Sequence, residues 1–169
     1  MPVVRRCASA PRPVHARRGL RRAEDALTVL LAGGGATPPA IGCLLLDERH
    51  RGLLAVDVVG RAGADAVLDV AEVMLAASAQ HAEMAAVVLA SFRDGADHLP
   101  ETGDEAIFAE LRDLFDDAGI ELLDWFLVAG GYATSLAELT GTTARWKGPA
   151  RGNEFRQPRK SSCATTPRP

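Results

Sequence analysis

The chain has 169 residues, nearly half of them apolar, which is enough for one domain with a hydrophobic core. No apolar run approaches the ~20 residues of a membrane-spanning helix, so no membrane protein is expected. The three cysteines, Cys7, Cys43 and Cys163, are far apart and show neither zinc-ligand spacing nor a disulfide framework. A reducing, cytoplasmic location is therefore the expectation.

The net charge of -3 conceals an uneven distribution along the chain. Residues 1–22 hold seven arginines and no acidic residue, and residues 147–169 hold six basic residues against Glu154 alone. The middle of the chain, residues 23–146, holds 21 acidic residues against six arginines. We therefore expect an acidic globular domain at 23–146 between two disordered basic tails.

Apolar periodicity divides the middle of the chain into helices and strands. Helices are expected where apolar residues recur on one face, and strands where apolar residues follow one another without interruption. Asp65 is a candidate N-cap for the second helix, and Gly119 is suited to end the third. The predicted elements are helices over 24–31, 66–81 and 104–118, strands over 40–46, 53–59, 83–90 and 120–129, and a short final element within 131–146.

The order of these elements predicts an α/β domain in which helices pack on a mixed sheet. The turn at residues 47–52 is short, so the first two strands are expected to be antiparallel neighbours. Trp125 and Phe126 follow each other in the last strand and therefore point to opposite faces. One of them belongs to the core, and burial is the favoured prediction for the other as well.

Short motifs lie at the joints between these elements. They are Leu44–Asp47, Val87–Leu89, Ser91–Asp104, Gly119–Asp124 and the pair Tyr132 and Ser135. In their order and spacing they resemble the RadC type of the JAB/MPN domain over about residues 24–140. The resemblance implies a JAB/MPN-like, cytidine-deaminase-like fold, which is a layered mixed sheet with flanking helices.

The loop after the third predicted strand corresponds to the functional part of that family. The family's motif, H-N-H-P-S-G-x-x-x-P-S-x-x-D, fits residues 91–104 without a gap. In the family, two histidines and the aspartate bind zinc, and a glutamate before the first strand activates the zinc-bound water. Here Ser91 and Arg93 stand at the histidine positions, and only Asp104 is retained. No glutamate lies near residues 39–40, where the resemblance implies that base.

These departures predict that the zinc site has been lost. Catalytic zinc needs about three protein ligands and an open position for water, and Asp104 alone cannot hold the ion. Arg93 places a fixed cation at a ligand position, where it repels a metal and can instead pair with Asp104. Without a metal, the pKa of water stays far above neutral pH, so no hydroxide nucleophile forms. We therefore expect no catalytic residue, metal or cofactor at the vacated positions Ser91, Arg93 and Asp104.

The same loop gathers further charged side chains, for which two interpretations remain open. These residues are Asp94, Asp97, His98 and Glu101, the last of which replaces the serine of the family's motif. Oxygen and imidazole ligands suit Mg, Mn or Ca, so a relocated metal site is one hypothesis. A solvated acidic loop is the favoured one, because the spacing matches no known calcium loop.

The favoured function is a non-catalytic binding or scaffold module, a pseudoenzyme of its family. Its expected partner is a protein or a small anionic ligand, since Arg93 offers a fork for a carboxylate or phosphate. One alternative is a metal-dependent hydrolase of peptide, isopeptide or nucleic-acid bonds with a rebuilt ligand set. Another is a DNA-maintenance accessory protein whose basic tails contact nucleic acid, although those tails can equally fold back on the acidic domain.

Overall fold

The computed structural model describes residues 4–5, 19–32, 38–78 and 82–142. Its strands are β1 (Val4–Arg5), β2 (Ala40–Leu46), β3 (Gly52–Val59), β4 (Ala86–Phe92), β5 (Glu121–Ala129) and β6 (Tyr132–Ser135). Its helices are α1 (Ala23–Ala32), α2 (Ala64–Ser78), α3 (Asp104–Asp117) and α4 (Leu136–Leu139). Within the described ranges, the strands form one mixed sheet in the order β1-β3-β2-β4-β5-β6.

Strand pairing brings the end of β4 and the start of α3 to the same end of the sheet. β4 and β5 run parallel, and α3 is the crossover between them. The other neighbouring pairs are antiparallel, including the predicted pair of β2 and β3. The loop of residues 93–103 therefore connects the end of a central strand directly to a helix N-terminus.

The central strands are covered on both faces. β2 and β4 are buried along their whole length, and β5 is buried from Leu122 to Ala129. One face packs against α2, α3 and α4, and the other packs against α1. Such near-continuous apolar strands are typical of a sheet between two helical layers, so the layered α/β prediction is confirmed.

β5 contains a β-bulge at Leu123. The pairing of β5 with β4 skips this one residue, so two residues of β5 stand where β4 has one. As a result, Leu122 and Trp125 lie on the same face although they are three positions apart. Trp125 and Phe126 are both buried, on opposite faces, as predicted.

The C-terminus of α3 is a Schellman motif. Gly119 has a φ of 72°, in the left-handed region that a residue without Cβ adopts most easily. Its N–H donates to the Asp116 carbonyl, and the Ile120 N–H donates to the Phe115 carbonyl, both at 2.9 Å. The predicted role of Gly119 is therefore confirmed.

Several element boundaries differ from the prediction by one residue, and β4 begins at Ala86, three residues after its predicted start. α2 begins at Ala64, so Asp65 lies in the first helical turn and is not the N-cap, although its charge still suits the helix dipole. β4 extends two residues beyond the predicted end at Ala90, because its last residues still pair with β2. Ser91 is consequently a strand residue and not a loop residue. The predicted last turn of α2, residues 79–81, lies outside the described residues.

Residues 1–3 and 6–18 of the predicted N-terminal tail, and the whole predicted C-terminal tail at 147–169, lie outside the described residues. In the described part, packing begins before the predicted boundary at residue 23. Leu20 is buried, and its N–H donates to the His50 carbonyl at 2.8 Å. None of the described helices has the length and apolar character needed to cross a membrane.

Candidate functional site

Ser91, Arg93 and Asp104 lie at the end of the sheet where β4 leads through a loop into α3. Arg93 follows β4 directly, and its N–H donates to the Val128 carbonyl at 2.8 Å, which continues the pairing with β5. Ser91 and Arg93 are two positions apart on extended backbone, so both side chains point to the face that carries α3. Asp104 begins α3 after an N-cap at Gly103.

Arg93 and Asp104 form a buried ion pair. Arg93 Nη2 lies 2.8 Å from Asp104 Oδ2, and the two side chains are 9% and 1% exposed. Arg93 Nη1 donates to the Leu99 carbonyl at 3.2 Å and lies 3.5 Å from Glu101 Oε1. The Glu101 side chain is mostly exposed, so water screens that second contact. Both terminal nitrogens of the guanidinium are therefore engaged within the chain.

The carboxylate of Asp104 is also held by the loop that precedes α3. The Glu101 N–H donates to the same oxygen, Asp104 Oδ2, at 2.7 Å. The Asp104 N–H in turn donates to the Glu101 carbonyl at 3.1 Å. The N-terminal end of the α3 dipole adds a favourable field for the negative charge. Two charge-assisted hydrogen bonds thus converge on the oxygen that faces Arg93.

Ser91 takes part in a separate contact inside the core. The Trp125 indole N–H donates to Ser91 Oγ at 3.0 Å, and both residues are fully buried. This bond satisfies the only polar atom of the indole ring. Ser91 is therefore the partner of a core tryptophan, and no described His–acid pair stands ready to activate its hydroxyl.

This set of donors does not fit a catalytic zinc ion. Such an ion needs about three ligands with free lone pairs, and these positions supply an engaged hydroxyl, a guanidinium and one engaged carboxylate. The position at which the family has its catalytic glutamate is equally unsuited to zinc-dependent hydrolysis. Ala40 pairs with Phe92, which places residues 39–40 beside Arg93, yet Pro39 and Ala40 have no ionisable group.

The remaining charged loop residues are not gathered around a common point. Asp97 accepts the Leu99 N–H at 2.9 Å and so stabilises its own turn. The His98 ring stacks on Tyr132 with a centroid separation of 5.2 Å, and Asp94 is exposed. Among the described residues, no group of three or more His, Cys, Asp or Glu side chains could hold a metal ion. The geometry therefore gives no support to a relocated metal site in this loop.

A second buried polar cluster is centred on Asp124, to which the sequence assigned no role. Asp124 is 1% exposed and accepts three hydrogen bonds. The donors are the Ser135 hydroxyl at 2.7 Å, the Trp125 N–H at 2.8 Å and the Ala137 N–H at 3.2 Å. Burial raises the pKa of Asp124 to about 6, while the three hydrogen bonds act in the opposite direction. The cluster ties β6 and the start of α4 to β5.

A sequence signal for this cluster was available. Asp124 is the only ionisable residue between Leu122 and Ala129, a run otherwise made of apolar side chains. A carboxylate in a strand buried on both faces must find hydrogen-bond donors, because an unpaired buried charge is costly. Ser135 and the α4 N-terminus supply them, and Ser135 is also the N-cap of that helix.

The comparisons with known proteins agree with the fold and the motifs. The model of one protein family, described as the RadC-like JAB domain, matches residues 22–142, well over half of the chain. A search of curated proteins found no match. The matched region contains β2 to β6 and the described helices α1 to α4, together with Ser91, Arg93 and Asp104. The chain therefore belongs to the RadC-like JAB domain family, and its layered α/β sheet is consistent with the JAB/MPN-like fold.

Proposed function

We propose that this domain is a non-catalytic member of its family, which has lost the zinc site and acts as a binding or scaffold module. The observation that carries the proposal is the buried ion pair between Arg93 and Asp104. The guanidinium bonds to the one carboxylate retained from the zinc-binding motif. A protein cation thus occupies the position at which the family's metal would meet this ligand.

The energetics of the pair disfavour exchange for a metal ion. A divalent cation at Asp104 would have to displace Arg93, which leaves the guanidinium buried without its anion. Removing one partner of a buried pair costs roughly 3–5 kcal/mol, because the remaining charge stays uncompensated. A single carboxylate offers too few ligands to offset that cost.

The geometry also disfavours two other roles for this end of the sheet. A small anion at Arg93 would compete with Asp104 for Nη2 and with the Leu99 carbonyl for Nη1. Hydrolysis without metal would need a positioned base and an activated nucleophile, and Ser91 has neither among the described residues. We therefore assign partner binding to the outer surface of the domain.

We also keep the cytoplasm as its proposed location, because the cysteine pattern indicates no disulfide framework.

The metal content of the protein tests this proposal. Wild-type protein is purified without chelator, incubated with zinc, dialysed and measured by elemental analysis. We expect far less than one zinc per chain. The matched variant is Ser91→His with Arg93→His, which together with Asp104 restores three ligands and is expected to bind about one zinc per chain.

The two proteins give outcomes that can be told apart. Stoichiometric zinc in the wild type would overturn the proposal and favour the metal-dependent hydrolase. Failure of the double variant to bind zinc, in protein that is folded by circular dichroism, would show that residues 91, 93 and 104 do not form the vacated site. The double variant is not expected to hydrolyse peptide bonds, because residues 39–40 supply no base.

A further inference from the structure

Large side chains outside the core gather where the loop between β4 and α3 meets the start of β6. The His98 ring stacks on the Tyr132 ring, with 5.2 Å between the two centroids and 25° between the two planes. Tyr132 is 51% exposed, and Leu99, the residue after His98, is 58% exposed. Exposed apolar side chains that lie together, unlike isolated ones, mark interaction surfaces. We call His98, Leu99 and Tyr132 the exposed patch.

Short contacts hold the backbone of the exposed patch in place. The Leu99 N–H donates to Asp97 Oδ1 at 2.9 Å, and the Leu99 carbonyl accepts Arg93 Nη1 at 3.2 Å. The turn after β5 packs against the same loop, because a Cβ added at Gly130 would lie 3.1 Å from the Ala96 Cα. A surface that is already ordered loses less conformational entropy when a partner binds. The exposed patch is therefore pre-organised for binding.

The border of the exposed patch is acidic. Asp94 and Asp97 are exposed, and the Glu101 side chain is 73% exposed. The only arginine or lysine of residues 91–104, Arg93, is buried and pairs with Asp104 at a shorter distance than with Glu101. A partner therefore meets a negative field around the exposed rings and the leucine.

This combination of rings and carboxylates favours one chemical group in a partner. A guanidinium stacks flat on an aromatic ring and forms paired hydrogen bonds with a carboxylate, so an arginine uses both parts of the surface. A lysine ammonium is a compact, strongly hydrated charge and makes poorer use of the ring. The carboxylates repel phosphate groups, which disfavours nucleic acid as the occupant. A purely apolar segment would remove water from the carboxylates without replacing their hydrogen bonds.

We propose that the exposed patch is the docking site for an arginine-containing segment of a partner protein. The guanidinium stacks on Tyr132 and pairs with Asp94 or Asp97, while an apolar residue beside the arginine covers Leu99. The inference rests on the proposed function, because it names the surface and the class of partner through which a non-catalytic module acts.

Fluorescence polarisation with labelled peptides tests the docking site in the full chain. The probe is a short peptide of alternating leucine and arginine, measured at about 0.15 M salt, where attraction between distant charges is screened. Two further peptides replace each arginine by lysine or by glutamate. We expect saturable binding of the arginine peptide, about fivefold weaker binding of the lysine peptide, and no binding of the glutamate peptide.

Substitution of Tyr132 tests the contribution of the ring. Tyr132→Ala should weaken binding of the arginine peptide about fivefold, which is the effect of losing one cation–π contact. Tyr132→Phe keeps the ring and should change the affinity by less than about twofold. Tyr132 is half-exposed in the short strand β6, so both variants are expected to fold, which circular dichroism checks.

Substitution of the acidic border has a matched control on α3. Asp94→Asn with Asp97→Asn should weaken binding about fivefold, through the loss of two exposed charges. An asparagine at position 97 can still accept the hydrogen bond of its turn. The control, Asp113→Asn with Asp116→Asn, removes two exposed carboxylates from another part of the domain. It should leave the affinity within about twofold, because salt screens distant charges.

Several results would contradict an arginine-containing partner at this surface. Absence of saturable binding would overturn the proposal, and it is also the result expected if a basic tail of the chain itself fills the patch. Equal affinity for the arginine and lysine peptides, or full affinity in Tyr132→Ala, would exclude stacking on the ring. Equal losses from the two acidic double variants would show that general charge attraction explains the binding.

Zinc content keeps this test separate from the test of the proposed function. Zinc-free protein that does not bind the arginine peptide would refute the docking site alone. Stoichiometric zinc in the wild type would overturn the proposed function, whatever the peptide does.

Discussion

Replacing Arg93 by alanine removes the cation of the buried ion pair. The Asp104 side chain, which is only 1% exposed, then lacks its counter-charge. Loss of one partner of a buried ion pair typically costs about 3–5 kcal/mol. Asp104 keeps the Glu101 N–H bond and the helix dipole, so we expect the lower end, a loss of about 3 kcal/mol in the free energy of unfolding. For a chain of this length, that loss corresponds to a fall in Tm of about 6–12 °C.

The chain contains a matched control for this measurement. Arg61 Nη1 lies 3.0 Å from Asp69 Oδ2, nearly the same distance, but the two side chains are 56% and 68% exposed. Exposed pairs contribute about 0–1 kcal/mol, so Arg61→Ala is expected to be close to neutral. Burial is therefore the main difference between the two arginine–aspartate pairs.

Urea unfolding followed by circular dichroism at pH 7.5 measures both variants against the wild type. A third variant, Arg93→Met with Asp104→Leu, removes both charges and is expected to recover most of the loss. If Arg93→Ala lowers the free energy of unfolding no more than Arg61→Ala does, the buried ion pair does not stabilise the end of β4. If the double substitution costs more than Arg93→Ala alone, the penalty does not come from an uncompensated carboxylate.

Two further predictions concern other parts of the domain. The pKa of Asp124 is raised from 3.8 to about 6 in the folded state, so the folded protein binds a proton more readily than the unfolded chain between about pH 4 and 6. This contribution to stability, roughly 3 kcal/mol, is complete below pH 4 and is lost as the pH rises through 6. Asp124→Asn should remove that slope in urea titrations from pH 4 to 7, and parallel profiles for the two proteins would contradict the assignment. Gly119→Ala should cost about 1 kcal/mol in the same assay because of its positive φ. Gly52→Ala should not lower stability, because the φ of Gly52 is not positive and an added Cβ would meet only Leu44 Cδ1, at 3.8 Å. Equal losses of stability in the two variants would show that a side chain at residue 119 does not strain the Schellman motif.

The sequence predicted the elements whose signals are local. Continuous apolar runs predicted β2 and β5 within one residue, because strands covered on both faces have no polar positions. Gly119 predicted the end of α3, because few other residues adopt the left-handed conformation there. The pairing of Arg93 with Asp104 was also predicted, since the sequence places a cation at one ligand position of the family's motif and retains the carboxylate at another.

The features that the sequence did not predict depend on long-range packing. Ser91 was predicted to lie in the loop. β4 continues to Phe92 because it pairs with β2 up to that residue, and no local sequence signal shows this pairing. The contact between Ser91 and the Trp125 indole joins residues 34 positions apart in different strands. Asp124 was quoted as part of a motif, but its donors come from β6 and α4, whose positions follow only from the fold.

The bulge in β5 makes that strand tolerant of a change in length at one position. Leu122 and Trp125 share a face because Leu123 is an extra residue between two otherwise regular halves. Deleting Leu123 would restore simple alternation and leave every other side chain on its present face, at the cost of one core leucine. Deleting a residue from the regular half between Trp125 and Ala129 would instead exchange the two faces for the residues on one side of the cut. A β5 that is one residue shorter at position 123 would therefore still place the same side chains in the cores on its two faces.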